Sequence, residues 1–209
     1  MFDKLREYGI VPVVAVDTVD HGLQLCEALL EGGLPVAEIT FRTDAAEATI
    51  RAAAKQFPEI ILGAGTVLNV ENLKRAIDAG ARFAVAPGCN PTVVSAAMEQ
   101  NFPFTPGICT PSDLEQAVQL GAKLLKFFPA KAIGGPAFLK SLIGPYGHLG
   151  VEFCPTGGIS QDNMMDYLAF PEVAFVGGSW VAKKDMIRDE QWDTISSLAK
   201  AAVAAAKQR

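Results

Sequence analysis

The chain has 209 residues, half of them hydrophobic and a fifth charged, with a net charge of −5. That length suits one domain with a core large enough to need no staples. The acidic balance and the lack of a Lys/Arg cluster speak against nucleic acid, and no apolar run approaches the ~20 residues of a membrane span.

Met1-Phe2-Asp3-Lys4-Leu5 lacks the charged-then-apolar pattern of a signal peptide, so a soluble, cytoplasmic protein is expected. Residues 2–8 predict a short helix. A first β-branched run starts near Val11, and others follow near Val36, Ile60, Arg82, Pro103, Lys123, Val151 and Val173, at intervals of 20 to 28 residues. Amphipathic stretches fill the gaps and predict helices near 19–30, 45–56, 70–79, 91–100, 112–120, 136–142 and 161–168. Asn90-Pro91 and Thr110-Pro111-Ser112 carry helix-start chemistry, a capping side chain followed by proline in the first turn. Gly32-Gly33, Gly80 and Gly121 mark helix ends. A final Ala-rich helix is expected near 193–207.

Strands alternating with helices imply parallel pairing. Eight of them predict an α/β fold, a closed (β/α)8 TIM barrel spanning 1–209 as one domain, with helix 2–8 plugging its bottom. An open doubly wound sheet would want G-x-G-x-x-G after the first strand, where this chain has Asp17-Thr18-Val19-Asp20.

Barrel enzymes carry their chemistry at the C-terminal ends of the strands. There Lys126 stands out, flanked by Leu124-Leu125 and Phe127-Phe128. Burial disfavours the charged form of an amine, and a neutral lysine attacks carbonyls. Such a lysine can also simply snorkel to water. In the second strand, period-two alternation puts Ala37, Ile39 and Phe41 on one face and Glu38, Thr40 and Arg42 on the other. If the polar face looks inward, a carboxylate and a lysine share one pore. Glu38 then suits acid–base work, or else merely neutralises a buried cation. Arg42 suits a substrate carboxylate through its bidentate fork. Gly63-Ala64-Gly65-Thr66 opens space and offers a hydroxyl. Thr156-Gly157-Gly158 and Gly177-Gly178-Ser179 follow the last two strands, each expected to lead into a helix, where barrels commonly hold phosphate. Cys26, Cys89, Cys109 and Cys154 form no C-x-x-C pair, and neither His21 nor His148 is near an acidic cluster in sequence, so no metal site is expected.

Several segments, in order, resemble the 2-keto-3-deoxy-6-phosphogluconate (KDPG) aldolases, many of which also cleave 4-hydroxy-2-oxoglutarate (KHG). They are Val36-Ala37-Glu38-Ile39-Thr40-Phe41-Arg42-Thr43, Gly63-Ala64-Gly65-Thr66-Val67-Leu68, Ala86-Pro87-Gly88, Thr105-Pro106-Gly107-Ile108, Lys126-Phe127-Phe128-Pro129-Ala130, Phe153-Cys154-Pro155-Thr156-Gly157-Gly158-Ile159 and Gly177-Gly178-Ser179-Trp180. The resemblance implies a class I lyase without metal or organic cofactor. Lys126 would form the Schiff base and Glu38 would be the acid/base. Arg42 and Thr66 would hold the pyruvyl carboxylate, and Pro87 and Phe128 would line the pocket. Gly157, Gly158, Gly178 and Ser179 would hold the phosphate. Thr156 would lie near the hydroxyl-bearing carbons; in related phosphogalactonate aldolases an apolar residue takes its place. The resemblance also implies a homotrimer acting on a small 2-oxo acid. The alternative readings are a related 2-oxo acid aldolase preferring another substrate, such as 2-dehydro-3-deoxy-6-phosphogalactonate, a metal-dependent aldolase, a phosphosugar isomerase or epimerase, and a non-catalytic phosphosugar-binding barrel.

Overall fold

In the computed structural model, which describes residues 1–209, nine short strands alternate with ten helices. The strands are β1 (Ile10–Val14), β2 (Val36–Thr40), β3 (Ile61–Gly65), β4 (Phe83–Val85), β5 (Phe104–Thr105), β6 (Gly107–Ile108), β7 (Leu124–Phe127), β8 (Glu152–Phe153) and β9 (Val176–Gly178). All pairings are parallel, in the orders β5-β4-β3-β2-β1-β9 and β6-β7-β8. The two sheets join at both edges. At one, β5 runs through Pro106 into β6. At the other, the bridges Phe153↔Val173 and Thr156↔Gly177 tie the β8 segment to the β9 segment. The ring is therefore closed, and β5 with β6 is the single expected fifth strand. Pro106 interrupts it because proline has no N–H for a ladder, yet its carbonyl still accepts from the Lys126 N–H at 2.8 Å.

The helices form the outer wall: α1 (Phe2–Tyr8), α2 (Val19–Glu31), α3 (Ala46–Gln56), α4 (Val70–Ala79), α5 (Pro91–Glu99), α6 (Pro111–Gln119), α7 (Gly135–Tyr146), α8 (Met164–Leu168), α9 (Lys184–Arg188) and α10 (Trp192–Ala206). Thr18, Asn69, Asn90 and Thr110 each accept a backbone N–H with the side chain at a helix start. Each such cap contributes about 1 kcal/mol. Thr110 and Asp113 complete a reciprocal capping box. Apolar residues such as Leu25, Leu29, Ile50, Leu73 and Leu114 are buried where the helices cover the sheet. Both faces of the strands are thus covered, which is why β2 and β3 are buried at every position.

Helix α1 closes the bottom of the barrel. Arg6 donates to Glu152 at the start of β8 (2.7 Å), and that hydrogen bond raises the guanidinium above its ordinary pKa. Three expectations need correction. The last strand begins at Val176, not Val173, which makes only the bridge to Phe153. The loops after Thr156 and Gly178 do not enter helices directly: α8 starts at Met164 and α9, which the sequence pattern missed, at Lys184. The first of these loops is capped instead by Asn163, which accepts from the Ser160 N–H (2.9 Å) and donates to the Gly158 carbonyl (3.0 Å).

Candidate active site

Parallel register fixes which side chains share the barrel interior. Glu38 is level with Val13 and Gly63, Gly63 with Phe83, Val85 with Thr105, and Gly107 with Lys126. Glycines recur on this inner face because bulky neighbours need the room. A Cβ on Gly63 would strike the Phe83 ring, one on Gly107 the Pro87 backbone, and one on Gly177 the Thr156 hydroxyl. A Cβ on Gly65 would strike the Glu38 carboxylate and come within 2.9 Å of the Thr40 methyl. These glycines let an acid, an amine and a hydroxyl meet inside a narrow barrel.

Lys126 Nζ donates to Glu38 Oε1 at 3.2 Å, with the two side chains only 7% and 4% exposed. β2 and β7 lie across the ring from each other, so this contact spans the pore. The amine also sits 5.8 Å from the centre of the Phe128 ring, a cation–π distance. Two charges withdrawn from water thus face each other. The proton that Lys126 must lose before it can attack a carbonyl has an acceptor within hydrogen-bond reach.

Around this pair the remaining expected residues gather at the same end of the barrel. Arg42 lies just beyond β2, exposed, and donates from Nε to Thr40 Oγ1 at 3.0 Å. Thr40 in turn donates to the Val14 carbonyl at 2.8 Å. Arg42 pairs with no carboxylate, and Nε is its one hydrogen-bonded nitrogen, so the outer edge of its guanidinium remains available. Thr66 follows β3 directly and holds φ 59, a left-handed conformation rare outside glycine. Backbone strain of this kind clusters at ligand-binding positions. Pro87 follows β4, and Gly88 accepts from the Gly107 N–H at 3.2 Å.

Thr156 is buried, and its hydroxyl bonds the Cys154 carbonyl (3.3 Å) and lies 3.6 Å from the Cys154 thiol. The bridge Thr156↔Gly177 brings the two glycine loops side by side. Gly157 and Gly158 take φ 98 and 76, open to glycine and strained for other residues. No protein acceptor engages the amides of Gly157, Gly158 or Ile159. Three consecutive free donors at a barrel mouth suit an anion.

Sequence reasoning missed three interior residues. Thr40 was placed on the inner face but given no task, although it fixes Arg42. Cys154 lies close enough to Lys126 and Glu38 to feel both, and burial pushes its thiol up to about 12. Thr105 is fully buried, level with Val85, and its hydroxyl has no partner in the protein. Strand alternation alone, carried through the Pro106 break, would have found Thr105. No group of three or more His, Cys, Asp or Glu side chains is arranged to hold a metal ion.

A closed parallel barrel with a buried amine–carboxylate pair at the C-terminal ends of its strands defines an enzyme built for lysine chemistry on a carbonyl compound. The comparisons narrow the class. The family described as "Aldolase: KDPG and KHG aldolase" matches residues 1–198. The KHG/KDPG aldolase of Escherichia coli (strain K12) is 45% identical over 198 residues, covering 95% of this chain and 92% of that protein. A KDPG aldolase from Legionella pneumophila, with pyruvate captured as a covalent carbinolamine, superposes with a TM-score of 0.92 at 35% identity, covering 97% of this chain and 98% of that one. A Zymomonas mobilis ZM4 KDPG aldolase with 3-phosphoglycerate gives 0.87 at 37% identity, covering 97% and 95%. The chain belongs to the KDPG and KHG aldolase family.

Proposed function

We propose that this chain is a class I aldolase that cleaves 2-dehydro-3-deoxy-6-phosphogluconate to pyruvate and glyceraldehyde 3-phosphate, and 4-hydroxy-2-oxoglutarate to pyruvate and glyoxylate. The observation that carries the reading is the 3.2 Å contact between Lys126 Nζ and Glu38 Oε1 inside a closed barrel. The carbinolamine of the Legionella relative supports it, because a trapped pyruvate adduct is what a Schiff-base lyase forms.

The steps follow from the pair. Glu38 takes a proton from Lys126, and the free amine adds to the C2 carbonyl to give a carbinolamine. Glu38 returns its proton to the carbinolamine hydroxyl, which leaves as water, and the resulting iminium ion is an electron sink. Glu38, through a water, then removes the C4 hydroxyl proton. The C3–C4 bond breaks, its electron pair passes into the iminium, and the aldehyde leaves. The enamine takes a proton back at C3, and hydrolysis of the imine frees pyruvate and Lys126. Each proton removed is returned, so no external oxidant, reductant or metal enters.

In this reading Arg42, steadied by Thr40, and Thr66 hold the pyruvyl carboxylate. Phe128 and Pro87 line the ketone end, Thr156 meets the C4 hydroxyl, and the amides of Gly157, Gly158, Gly178 and Ser179 take the phosphate. Thr156 favours the gluconate-derived substrate over the galactonate-derived one. A homotrimer is part of the proposal and is checked by light scattering.

Sodium borohydride added with pyruvate reduces an imine to a stable amine. Peptide mass mapping then finds the pyruvyl adduct on Lys126. Failure to find it there, or its persistence in Lys126→Met, overturns the mechanism. A metal-dependent aldolase would instead lose activity with chelator.

A further inference from the structure

Directly beyond Lys126 the chain wraps around the first glycine loop. Ala130 N–H donates to the Thr156 carbonyl at 2.8 Å, and Lys131 N–H to the Gly157 carbonyl at 3.0 Å. Those two bonds hold the carbonyl side of the loop and leave its amides free. They also fix where Lys131 sits. A Cβ on Gly158 would lie 2.6 Å from the Lys131 Cβ and 3.0 Å from its Cδ, so the lysine stem lies flat against Gly158. Its ammonium is two bonds past Cδ, at the rim of the loop. Lys131 is exposed and forms no ion pair with any carboxylate. A cation pinned by its backbone to an array of unbonded amides, with no anion of its own, lacks a partner.

We propose that Lys131 is a specificity-determining residue whose ammonium pairs with the terminal phosphate of the substrate above the Gly157–Gly158 amides. This deepens the activity proposed above and rests on it. Backbone amides recognise an oxyanion at short range and do not respond to salt as a mobile cation does. Lys131 adds net positive charge, and with it preference for a dianionic phosphate over shorter substrates that end before the loop. Its absence from the pore leaves the imine chemistry untouched.

The test replaces the charge and keeps the stem, in Lys131→Met. Pyruvate release is followed with 2-dehydro-3-deoxy-6-phosphogluconate and with 4-hydroxy-2-oxoglutarate, each at low and high salt. For the phosphorylated substrate KM rises about two- to fivefold with kcat held, the upper part of the range for one exposed charge pair. The rise of wild-type KM with salt flattens in the variant. With 4-hydroxy-2-oxoglutarate, KM and kcat stay within about twofold, and Lys131→Arg restores the phosphorylated KM. Equal losses on both substrates, or a change below about twofold on the phosphorylated one, overturn the proposal. Failure of the wild type to form the pyruvate adduct would instead overturn the aldolase reading, so the two are told apart.

Discussion

The buried pair makes a sharp prediction about stability. Lys126 Nζ and Glu38 Oε1 are 3.2 Å apart and almost wholly withdrawn from water. Lys126→Met keeps most of the stem and removes the charge. Glu38 then keeps a charge without a partner or takes up a proton. Proton uptake sets the limit. From an ordinary glutamate value of about 4.3 to pH 7 it costs about 4 kcal/mol. Glu38→Leu strands the amine, and releasing its proton at pH 7 from about 10.4 costs about 5 kcal/mol. Both figures fall near the 3–5 kcal/mol typical of breaking a buried pair. The double variant removes both charges and should unfold within about 1 kcal/mol of the wild type. Urea unfolding at pH 7 measures all four proteins. The pH dependence has a fixed sign. In Lys126→Met the buried carboxyl has lost its cation and is tolerated better as the neutral acid, so stability is present at low pH and lost as pH rises. The deficit should therefore shrink to about 1 kcal/mol at pH 5. Glu38→Leu behaves oppositely and recovers towards pH 10. If the two single losses simply add in the double variant, or if the Lys126→Met deficit is the same at pH 5 and pH 7, the pair is not a mutually compensating buried pair.

Other perturbations test the rest of the site. In Gly65→Ala the new methyl meets the Glu38 carboxylate; kcat should fall at least about tenfold while circular dichroism stays native, because a displaced base misses the reacting proton. Arg42→Leu should raise the pyruvate concentration needed for half-maximal borohydride trapping by about 10- to 100-fold, the range of one charge-assisted contact. Thr40→Val, which frees the Arg42 Nε, should give a smaller shift in the same direction. Burial pushes the Cys26 and Cys154 thiols up to about 12. In the native protein at pH 8 a thiol reagent should therefore label Cys89 and Cys109 first and reach the other two only on unfolding. Above pH 9 the unfolded chain releases these two protons and the folded one keeps them, so stability falls with rising pH. Each thiol contributes about 1.4 kcal/mol per pH unit to that slope. Cys26→Ala should remove one share of it.

How far the sequence carries depends on what each signal measures. Period-two alternation in Ala37 to Arg42 is a statement about faces, and faces persist. It put Glu38 and Lys126 in one pore 88 residues apart in sequence, and the hydrogen bond between them spans that separation. Capping chemistry at Asn90 and Thr110 is equally local, and both residues cap as expected. Where the reading slipped, the deciding interaction is tertiary. The run from Val173 is apolar and β-branched, yet only Val176–Gly178 pairs as a strand, because the preceding residues bend to reach Phe153 across the closing seam. Gly157 and Gly158 looked like the mouth of a helix, whose dipole would face the anion. Asn163 instead ties the loop down before α8 begins, so the donors it presents are individual amides, not a helix end. Lys131 illustrates the limit most clearly. Nothing in its sequence neighbourhood distinguishes it from any surface lysine. Its significance comes from lying on Gly158, a residue 27 positions away, where the absence of a side chain gives the lysine stem its seat. A glycine records that something approaches its backbone, and only the folded chain says what.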